Sequence, residues 1–270
     1  MKITAAVIYK SIELIRSQSP IVHNITNYVV MNNTANALLA IGASPVMAHA
    51  EEEVEEMVNI ASALVINIGT LSERWISSMF KASRQARKKG IPVILDPVGA
   101  GATAYRTKTA RDLIHNEPPS IIRGNASEIL ALYDDKSKTK GVDSAASSDT
   151  AIDTARKLNE IHKCVVCVSG AIDYIVGEDK IMKIKNGHPL MSRVTGLGCT
   201  ASALCGAFAA VEKSSFAATV EAMAVMGIAG EMAAAVAVGP GSLQTHFLDI
   251  LYRLTEDDIK QHLKVEQCRI

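Results

Sequence analysis

The feature that most constrains this chain is a regular alternation of short apolar runs with longer amphipathic segments. The apolar runs have the length and β-branched content of buried strands, whereas the longer segments have the apolar spacing of helices. Such alternation is typical of β-α units around a mainly parallel sheet. The predicted strands are residues 63 to 68, 92 to 96, 120 to 124, 164 to 170, 173 to 177 and 181 to 187. We expect the last two to form an antiparallel hairpin at the edge of the sheet.

The remaining segments predict helices. After an amphipathic N-terminal helix they span residues 27 to 41, 51 to 61, 72 to 89, 105 to 116, 126 to 134 and 148 to 162. Beyond residue 198 almost everything is predicted to be helical, at 199 to 212, 215 to 237, 241 to 254 and 256 to 266. Residues 136 to 149 are predicted to be a mobile loop. Because the chain has 270 residues and no linker-like stretch, we expect residues 1–270 to form a single α/β domain with a helical C-terminal part.

Charge and composition restrict the partners of the chain. The 28 basic and 28 acidic side chains give a formal net charge of zero, so neither nucleic acid nor an anionic membrane is an expected partner. The apolar runs are expected to be too short for a membrane span, which needs roughly 20 residues. Charged residues interrupt the N-terminal segment, which makes it a poor signal peptide. We therefore expect a cytoplasmic protein that binds small molecules or copies of itself.

The five cysteines indicate reduced thiols, because their number is odd and their spacing forms no disulfide framework. Cys164 and Cys167 do match the pattern C-x-x-C. However, residues three apart in a strand point to opposite faces, whereas a redox or zinc pair needs both sulfurs on one side. We therefore interpret this pair as part of a buried core. The seven histidines have no spacing typical of a zinc site.

Candidate functional residues follow the predicted strands, because ligands of open α/β sheets bind beyond the carboxyl ends of the strands. Asp96 ends one strand and Arg123 ends the next, with Glu128 in the first turn of the following helix. Ser169 ends a third strand. Together they supply what phosphoryl transfer requires, namely magnesium ligands, a cation on the phosphates and hydrogen-bond donors. Taken singly, Asp96 could cap a turn before Pro97, and Glu128 could complement a helix dipole.

The stretch "TGLGCTASAL", residues 195 to 204, predicts an anion site, because Gly196 and Gly198 form a turn that leads into a helix. The first N–H groups of a helix have no partner within it, and its N-terminal dipole end is positive, which suits a phosphate. The stretch also fits the dinucleotide pattern G-x-G-x-x-A, but a helix follows where that fold needs a second strand. No G-x-x-x-x-G-K-[ST] motif is present. A kinase built on this chain would therefore hold its phosphates without a P-loop.

The segment of residues 20 to 50 contains five asparagines, several of them inside the helix predicted to start near Asn27. Asparagine disfavours helix interiors, so this density indicates specific hydrogen bonds, although capping and polar packing could explain several of them. A turn in "GASPVMAHA" is expected to end near Met47. The thioether of this residue suits either core packing or contact with a sulfur heterocycle.

Five blocks of the sequence together resemble the hydroxyethylthiazole kinase family, the thiamin-salvage kinases of the ribokinase-like fold. The blocks are "HNITNYVVMNNTANALLAIGASPVMAHA", "LVINIGTL", "PVILDPVGAGAT", "IRGNASEI" and "RVTGLGCTASAL", within about residues 12 to 254. The resemblance implies a three-layer α/β/α fold with a central, mostly parallel sheet. It also implies ATP-dependent phosphorylation of the primary alcohol of 4-methyl-5-(2-hydroxyethyl)thiazole with Mg²⁺, by a homotrimer whose active sites lie between subunits.

The resemblance also assigns roles to residues of this chain. The thiazole pocket is expected to be lined by Asn27, Val29, Met47 and Gly196, and ATP to be contacted by Arg123, Ser169 and Gly198. Asp96 and Glu128 match the acidic positions near magnesium, and Asp96 and Cys199 are the expected catalytic residues. Two departures from the family pattern are visible. Ser169 stands where a threonine is common, and Leu197 is a bulkier residue between the two glycines of the anion loop.

Cys199 stands where the wider fold usually has an aspartate, the base that takes the proton from the attacking hydroxyl. A thiol with a pKa near ~8.5 is a weaker choice, but a loose transition state needs little help from a base. Cys199 therefore either assists deprotonation or only orients the alcohol. Alternative functions are a kinase for another small alcohol of the hydroxymethylpyrimidine type, a related ATP-dependent dehydratase, or a non-catalytic nucleotide sensor. The asparagine-rich segment argues against the first two, and the intact acidic pair with Arg123 argues against the third.

Overall fold

The computed structural model describes residues 3–133 and 147–268 of the chain. The strands of this part are β1 (Ile21–Ile25), β2 (Ser44–Val46), β3 (Ala63–Asn67), β4 (Val93–Asp96), β5 (Ile121–Asn125), β6 (Val165–Ser169), β7 (Asp173–Val176), β8 (Ile181–Ile184) and β9 (Val265–Cys268). They form one sheet in the order β2-β1-β3-β4-β5-β6-β7-β8-β9. The first six strands in this order pair in parallel, and β7, β8 and β9 are added in antiparallel pairs.

The helices of the described part flank this sheet. They are α1 (Ala5–Gln18), α2 (Met31–Ile41), α3 (Val54–Ile60), α4 (Glu73–Lys89), α5 (Ala104–Asn116), α6 (Ala126–Leu132), α7 (Ser147–His162), α8 (Leu197–Ala209), α9 (Ser215–Val236), α10 (Pro240–Arg253) and α11 (Glu256–His262). A short 3-10 helix covers Pro189–Arg193. Side chains set several helix starts: the Ser72 hydroxyl accepts from the Trp75 N–H, and the Thr103 hydroxyl accepts from the Arg106 N–H.

Two buried hydrophobic clusters lie on opposite faces of the sheet. One contains residues of α1, α2, α8, α9 and α10, and the other contains residues of α3 to α7. Cys167 belongs to the first cluster and Cys164 to the second, which confirms that the two thiols lie on opposite faces of β6. None of the five cysteines is in a disulfide. The predicted three-layer α/β/α architecture is therefore confirmed.

Helix α8 lies unusually close to the sheet because a glycine faces the strands. A Cβ atom added to Gly206 would lie 2.7 Å from Cγ2 of Val65 on β3 and 3.1 Å from Cγ1 of Val22 on β1. Any larger residue would push the helix outward. This close contact holds the N-terminus of α8 over the carboxyl ends of the central strands.

The structure confirms the six predicted strands and corrects several details. Strands β1, β2 and β9 were not predicted, and the segment "GASPVMAHA" contains strand β2 as well as the expected turn. The helix predicted at 256 to 266 is wrong at its end, because α11 stops at His262 and β9 begins at Val265. The hairpin of β7 and β8 is present, but β9 pairs with β8 and forms the edge. Most of the loop predicted at 136 to 149 lies outside the described residues.

Helix α9 is an exception to the expectation that the apolar segments are too short to span a membrane. Its 22 residues are long and apolar enough to cross a bilayer by length and composition alone. However, 72% of its most apolar window is buried inside the protein, between α8, α10 and the sheet. This burial is typical of a core helix in a globular protein.

Candidate active site

The candidate residues meet where parallel strands end. Asn67 at the end of β3 pairs with Asp96 at the end of β4, and Asn125 at the end of β5 pairs with Ser169 at the end of β6. Helix α8 begins beside these strand ends, with Gly196 at its N-cap in a left-handed conformation (φ 85°). Chain segments far apart in the sequence therefore contribute to one edge of the sheet, as the strand-end rule predicts.

Asp96 is buried and held by two hydrogen bonds on one carboxylate oxygen. Its Oδ2 accepts from Nδ2 of Asn67 at 2.8 Å and from the Ser202 hydroxyl at 2.8 Å. Burial raises the pKa of Asp96 to about 6, and the nearby Glu128 carboxylate adds to this effect, while Arg123 and the two hydrogen bonds oppose it. The carboxylate is thus ionised at neutral pH and fixed in one orientation.

Cys199 and Asn27 adjoin Asp96 through Asn67. Nδ2 of Asn27 donates to Oδ1 of Asn67 at 2.8 Å and lies 3.4 Å from Sγ of Cys199. Burial raises the pKa of the Cys199 thiol to about 11, and the Asp96 charge raises it further, although Asn67 and Asn27 oppose the shift. The thiol is therefore protonated at neutral pH, which favours the orienting role of Cys199 over the role of base.

Glu128 has a clear structural partner on each oxygen. Its Oε2 accepts from the Asn125 N–H at 2.9 Å and completes a capping box at the start of α6, while Oε1 accepts from the Gly99 N–H at 2.8 Å. Gly99 has a positive φ of 74° in the loop after β4. Glu128 thus ties this loop to α6, and its charge lies close enough to Asp96 to raise the pKa of that carboxyl.

A cavity of about 590 Å³ opens beside these residues. It is lined by Ser169 from the end of β6, Leu197 and Gly198 from α8, and Met223 and Met226 from α9. Arg123 also lines it, but β5 continues to Asn125, so this residue lies within the strand rather than at the predicted end. A Cβ atom added to Gly198 would lie 3.0 Å from Nη1 of Arg123, so this glycine lets the guanidinium approach the helix start. The volume lies within the range of small-molecule and cofactor sites, roughly 300 to 1,000 Å³.

Arg123 has an incompletely satisfied guanidinium. Its Nε atom is buried and has no hydrogen-bond partner among the described residues. Burial lowers the pKa of the Arg123 guanidinium, but the negative charges of neighbouring groups, Asp96 first and Asp173 among them, raise it by more in sum. Arg123 also lines the cavity, and a cation in such a position is suited to an anionic ligand.

Sequence reasoning missed three polar residues of this region: Asn67, Ser202 and Asp173. Asp173 begins β7, lines the cavity and is 8% exposed. Its Oδ1 accepts from the Gly170 N–H at 2.9 Å, and burial raises its pKa to about 6. Asn67 is the last residue but one of the strand predicted at 63 to 68 and ends the observed β3, so the rule that selected Asp96 could have found it. Ser202 lies inside α8 and carries no comparable signal.

The four residues expected to bind the thiazole do not line the cavity beside Arg123. They are Asn27, Val29, Met47 and Gly196. Gly196 packs closely on the start of α2, since an added Cβ atom would lie 2.8 Å from Cγ1 of Val30. The backbone N–H of Val29 donates to Oδ1 of Asn27 at 3.2 Å, while the Val29 side chain is 62% exposed. Met47 follows β2 at the same edge of the sheet and is half-buried. The structure thus brings Asn27 and Cys199 together and leaves Val29 open to the surface.

Known proteins were compared with the chain and its fold. The model of the hydroxyethylthiazole kinase family matches residues 12–257. A protein named hydroxyethylthiazole kinase from Syntrophus aciditrophicus is 63% identical over 266 residues, which cover 98% of this chain and 98% of that protein. The solved structure of a hydroxyethylthiazole kinase protein from Pyrococcus horikoshii has a TM-score of 0.89 at 43% identity, covering 98% of this chain and 100% of that one.

A more distant neighbour bears on the fold alone. The structure of a pyridoxal kinase from Staphylococcus aureus in complex with pyridoxal has a TM-score of 0.64 at 14% identity. It covers 93% of this chain and 98% of that one. The ribokinase-like arrangement of the sheet and its two helical layers is therefore shared well beyond recognisable sequence similarity.

Proposed function

The chain belongs to the hydroxyethylthiazole kinase family, and on that premise we propose that it transfers the γ-phosphoryl group of ATP to 4-methyl-5-(2-hydroxyethyl)thiazole. The product is the thiazole phosphate, as thiamin salvage requires. The observation that carries this proposal is the position of Asn27, Cys199 and Asp96 in one hydrogen-bonded group beside a cavity of about 590 Å³ that Arg123 lines. A neutral alcohol and an anionic nucleotide can then meet at the N-terminus of α8.

ATP binding is assigned to Arg123, Ser169 and Gly198. The Arg123 guanidinium lines the cavity and offers a charged donor to the phosphates, and the first N–H groups of α8 add neutral donors. The Ser169 hydroxyl donates to the Gly124 carbonyl at 3.2 Å, so its oxygen remains available as an acceptor. The apolar side chains of Met223 and Met226 give the same cavity a surface suited to the adenine ring.

The attacking alcohol is assigned to Asn27, Val29, Met47, Gly196 and Cys199. Cys199 carries a protonated thiol at neutral pH, and we assign it the role of orienting the hydroxyl. Asp96 is the ionised group on the phosphate side, where it repels excess negative charge unless a cation is bound. Phosphoryl transfer of this type depends mainly on alignment and charge stabilisation.

Mg²⁺ is proposed as the metal, held by Asp96 and Glu128 together with the phosphates of ATP. When bound, such an ion neutralises charge that develops on the transferred group. The donor set fits, because Mg²⁺ in kinases takes one or two carboxylates and completes its shell with phosphates and water. Within residues 3–133 and 147–268 no group of three or more His, Cys, Asp or Glu side chains is arranged for a metal. The proposed magnesium site therefore combines the two carboxylates with the phosphates of ATP and needs no third ligand from the protein.

The proposal also covers the oligomeric state, the domain organisation and the cellular location of the protein. We propose a homotrimer with active sites between subunits, which the exposed side chains of Tyr28 and Val29 beside Asn27 support. The single domain over residues 1–270 is supported by the one sheet that joins all strands of the described part. The free thiols and the zero net charge support a cytoplasmic location.

Steady-state kinetics test the activity most directly. Purified protein is assayed for ADP release with Mg-ATP and hydroxyethylthiazole, and with hydroxymethylpyrimidine as the competing alcohol. We expect kcat/KM to favour the thiazole, with the thiazole phosphate identified by mass spectrometry. A preference for the pyrimidine would contradict the substrate assignment. Tight ATP binding without turnover of either alcohol would instead favour the nucleotide sensor.

A further inference from the structure

Asn67 connects the two halves of the proposed site. It is 1% exposed at the end of β3, the central strand between the one that leads to Asn27 and the one that ends in Asp96. Its Oδ1 accepts from Nδ2 of Asn27 at 2.8 Å, and its Nδ2 donates to Oδ2 of Asp96 at 2.8 Å. A single amide group therefore spans the distance between the alcohol side and the phosphate side.

The orientation of the Asn67 amide is fixed by the backbone. The Gly69 N–H donates to the same Oδ1 at 2.9 Å, and a backbone N–H can only donate. The oxygen must therefore face Gly69 and Asn27, and the NH₂ group must face Asp96. Flipping the amide would bring its NH₂ against the Gly69 N–H and its oxygen against the Asp96 carboxylate.

The orientation of Asn27 is fixed in the same way. Its Oδ1 accepts from the Val29 N–H at 3.2 Å, so its NH₂ group faces Asn67 and Sγ of Cys199. Gly69 adds a steric limit, since a Cβ atom added there would lie 2.6 Å from Nδ2 of Asn27. The hydrogen bonds thus run in one direction, from the Val29 backbone through two amides to Asp96.

We propose that Asn67 is a positioning residue that holds the alcohol-binding amide of Asn27 and the phosphate-side carboxylate of Asp96 in fixed register. This inference rests on the proposed kinase function. Asn67 lies behind both groups, so it acts through them. Its oxygen sets where the alcohol binds, and its NH₂ group sets which way the carboxylate points. The two effects belong to opposite ends of one amide and can be separated by substitution.

Asn67→Asp separates the two ends. The new carboxylate still accepts from Asn27 and Gly69, but it places an anionic oxygen against Asp96 where a donor was. We expect kcat to fall about 10- to 100-fold while KM for the alcohol stays within about 2-fold, since loss of a hydrogen bond to a charged group is of that size. Ser202→Ala removes the other donor to Asp96 and is expected to change kcat in the same direction, by less.

Gly69→Ala acts on the opposite end. The added methyl displaces the Asn27 amide and leaves the Asn67 to Asp96 hydrogen bond in place. We expect KM for the alcohol to rise about 10-fold, with a smaller change in kcat. The backbone φ of Gly69 is not in the left-handed region, so the effect is steric. Asn67→Ala, which removes both ends, is expected to change kcat and KM together.

Asn159→Ala is the matched control. Asn159 is 7% exposed, and its Nδ2 donates to the Cys164 carbonyl at 2.6 Å, remote from the cavity. Loss of this buried amide should lower the melting temperature and leave kcat and both KM values unchanged. Circular dichroism and gel filtration establish that each variant is folded. If Asn67→Ala does not fold, Asn67→Asp and Gly69→Ala still carry the comparison.

The inference is overturned if Asn67→Asp does not act mainly on kcat and Gly69→Ala does not act mainly on KM for the alcohol. Asn67→Asp and Gly69→Ala would then lower stability as Asn159→Ala does, with wild-type kcat and KM, or would change kcat and KM in the same ratio. A wild-type enzyme that phosphorylates no alcohol would instead contradict the proposed function itself. An active wild type without the separation contradicts the role of Asn67 alone.

Discussion

The nucleotide side and the alcohol side of the site contain different kinds of polar groups. The nucleotide side contains charged groups: Arg123 and Asp173 line the cavity, and Asp96 lies beside it. The alcohol side contains amides and a thiol, and its rim is the exposed Val29 side chain. This difference matches the proposed substrates, because ATP is a polyanion and the thiazole alcohol is neutral. The exposed Val29 side chain marks the proposed subunit boundary.

Removing the cation of the nucleotide side should give the largest effect. Arg123→Met would leave Asp96 and Asp173 facing the phosphates without a counter-charge, so kcat/KM for ATP should fall about 1,000-fold. Arg123→Lys should recover part of the loss, because it keeps the charge without the planar donor fork. The measurement is the initial rate at varied Mg-ATP with saturating thiazole alcohol.

Arg84→Met serves as the control for this comparison. Arg84 is 59% exposed and pairs with Glu117 at 3.1 Å, away from the cavity. It should retain kcat/KM for ATP within about 2-fold. A loss of less than about 10-fold in Arg123→Met would mean that the charged half of the site does not depend on this arginine.

A charged residue at position 29 tests whether a second chain covers the alcohol side of the site. If a second chain covers Val29, Val29→Asp buries an unpaired carboxylate there and prevents association. We expect a smaller mass by light scattering and a decrease in alcohol turnover of about 100-fold, while the Kd for ATP stays within about 3-fold. Ile161→Asp places the same charge on an exposed position of α7 and should change neither quantity. A fully active, unchanged oligomer of Val29→Asp would contradict the proposed subunit boundary.

Cys199 tests whether the alcohol side needs an ionisable base. Because the pKa of its thiol is about 11, the group stays protonated between about pH 7 and 9.5, and kcat of the wild type should be flat over that range. A thiolate base would make the rate rise about tenfold per pH unit there. Cys199→Asp should remain active within about 10-fold of the wild type, since phosphoryl transfer depends more on alignment than on the base. Complete inactivity of the folded variant would argue for an essential thiol.

The charged half of the site was easier to predict from the sequence than the amide half. Asp96 and Ser169 end strands, as a rule about strand ends predicts, and Arg123 lies two residues before the end of β5. The hydrogen bonds of the amide half join residues 40 and 172 positions apart, from Asn67 to Asn27 and from Asn27 to Cys199. Such contacts depend on strand order and on the rotation of α8, which local patterns do not encode.

The missed strands have related causes. β1 contains His23 and Asn24, two polar residues that interrupt the apolar run although both are buried. β9 is a four-residue edge strand that directly follows a helix, and only its pairing with β8 makes it a strand. Local propensity is weak evidence in both places, because the tertiary pairing decides the conformation.

Glu221 separates stability from catalysis on the nucleotide side. This residue lies in α9, two positions before the cavity residue Met223; it is fully buried, and neither oxygen has a hydrogen-bond partner among the described residues. Burial raises its pKa from 4.5 to about 7, and the nearby Glu212 carboxylate adds to this effect. The folded state therefore holds a proton that the unfolded state releases above its own pKa, and this group lowers the stability progressively as pH rises from about 4.5 to 7.

Glu221→Gln removes that pH-dependent cost. The variant should be more stable than the wild type by about 2 kcal/mol at pH 8, and the difference should shrink towards zero near pH 5, where the folded wild type is protonated. Urea unfolding at the two pH values measures it. KM for ATP should not change, because the side chain does not line the cavity. An equal difference at both pH values would mean that packing, not ionisation, is responsible. A raised KM for ATP would mean that ATP binding on the nucleotide side depends on the ionisation of Glu221.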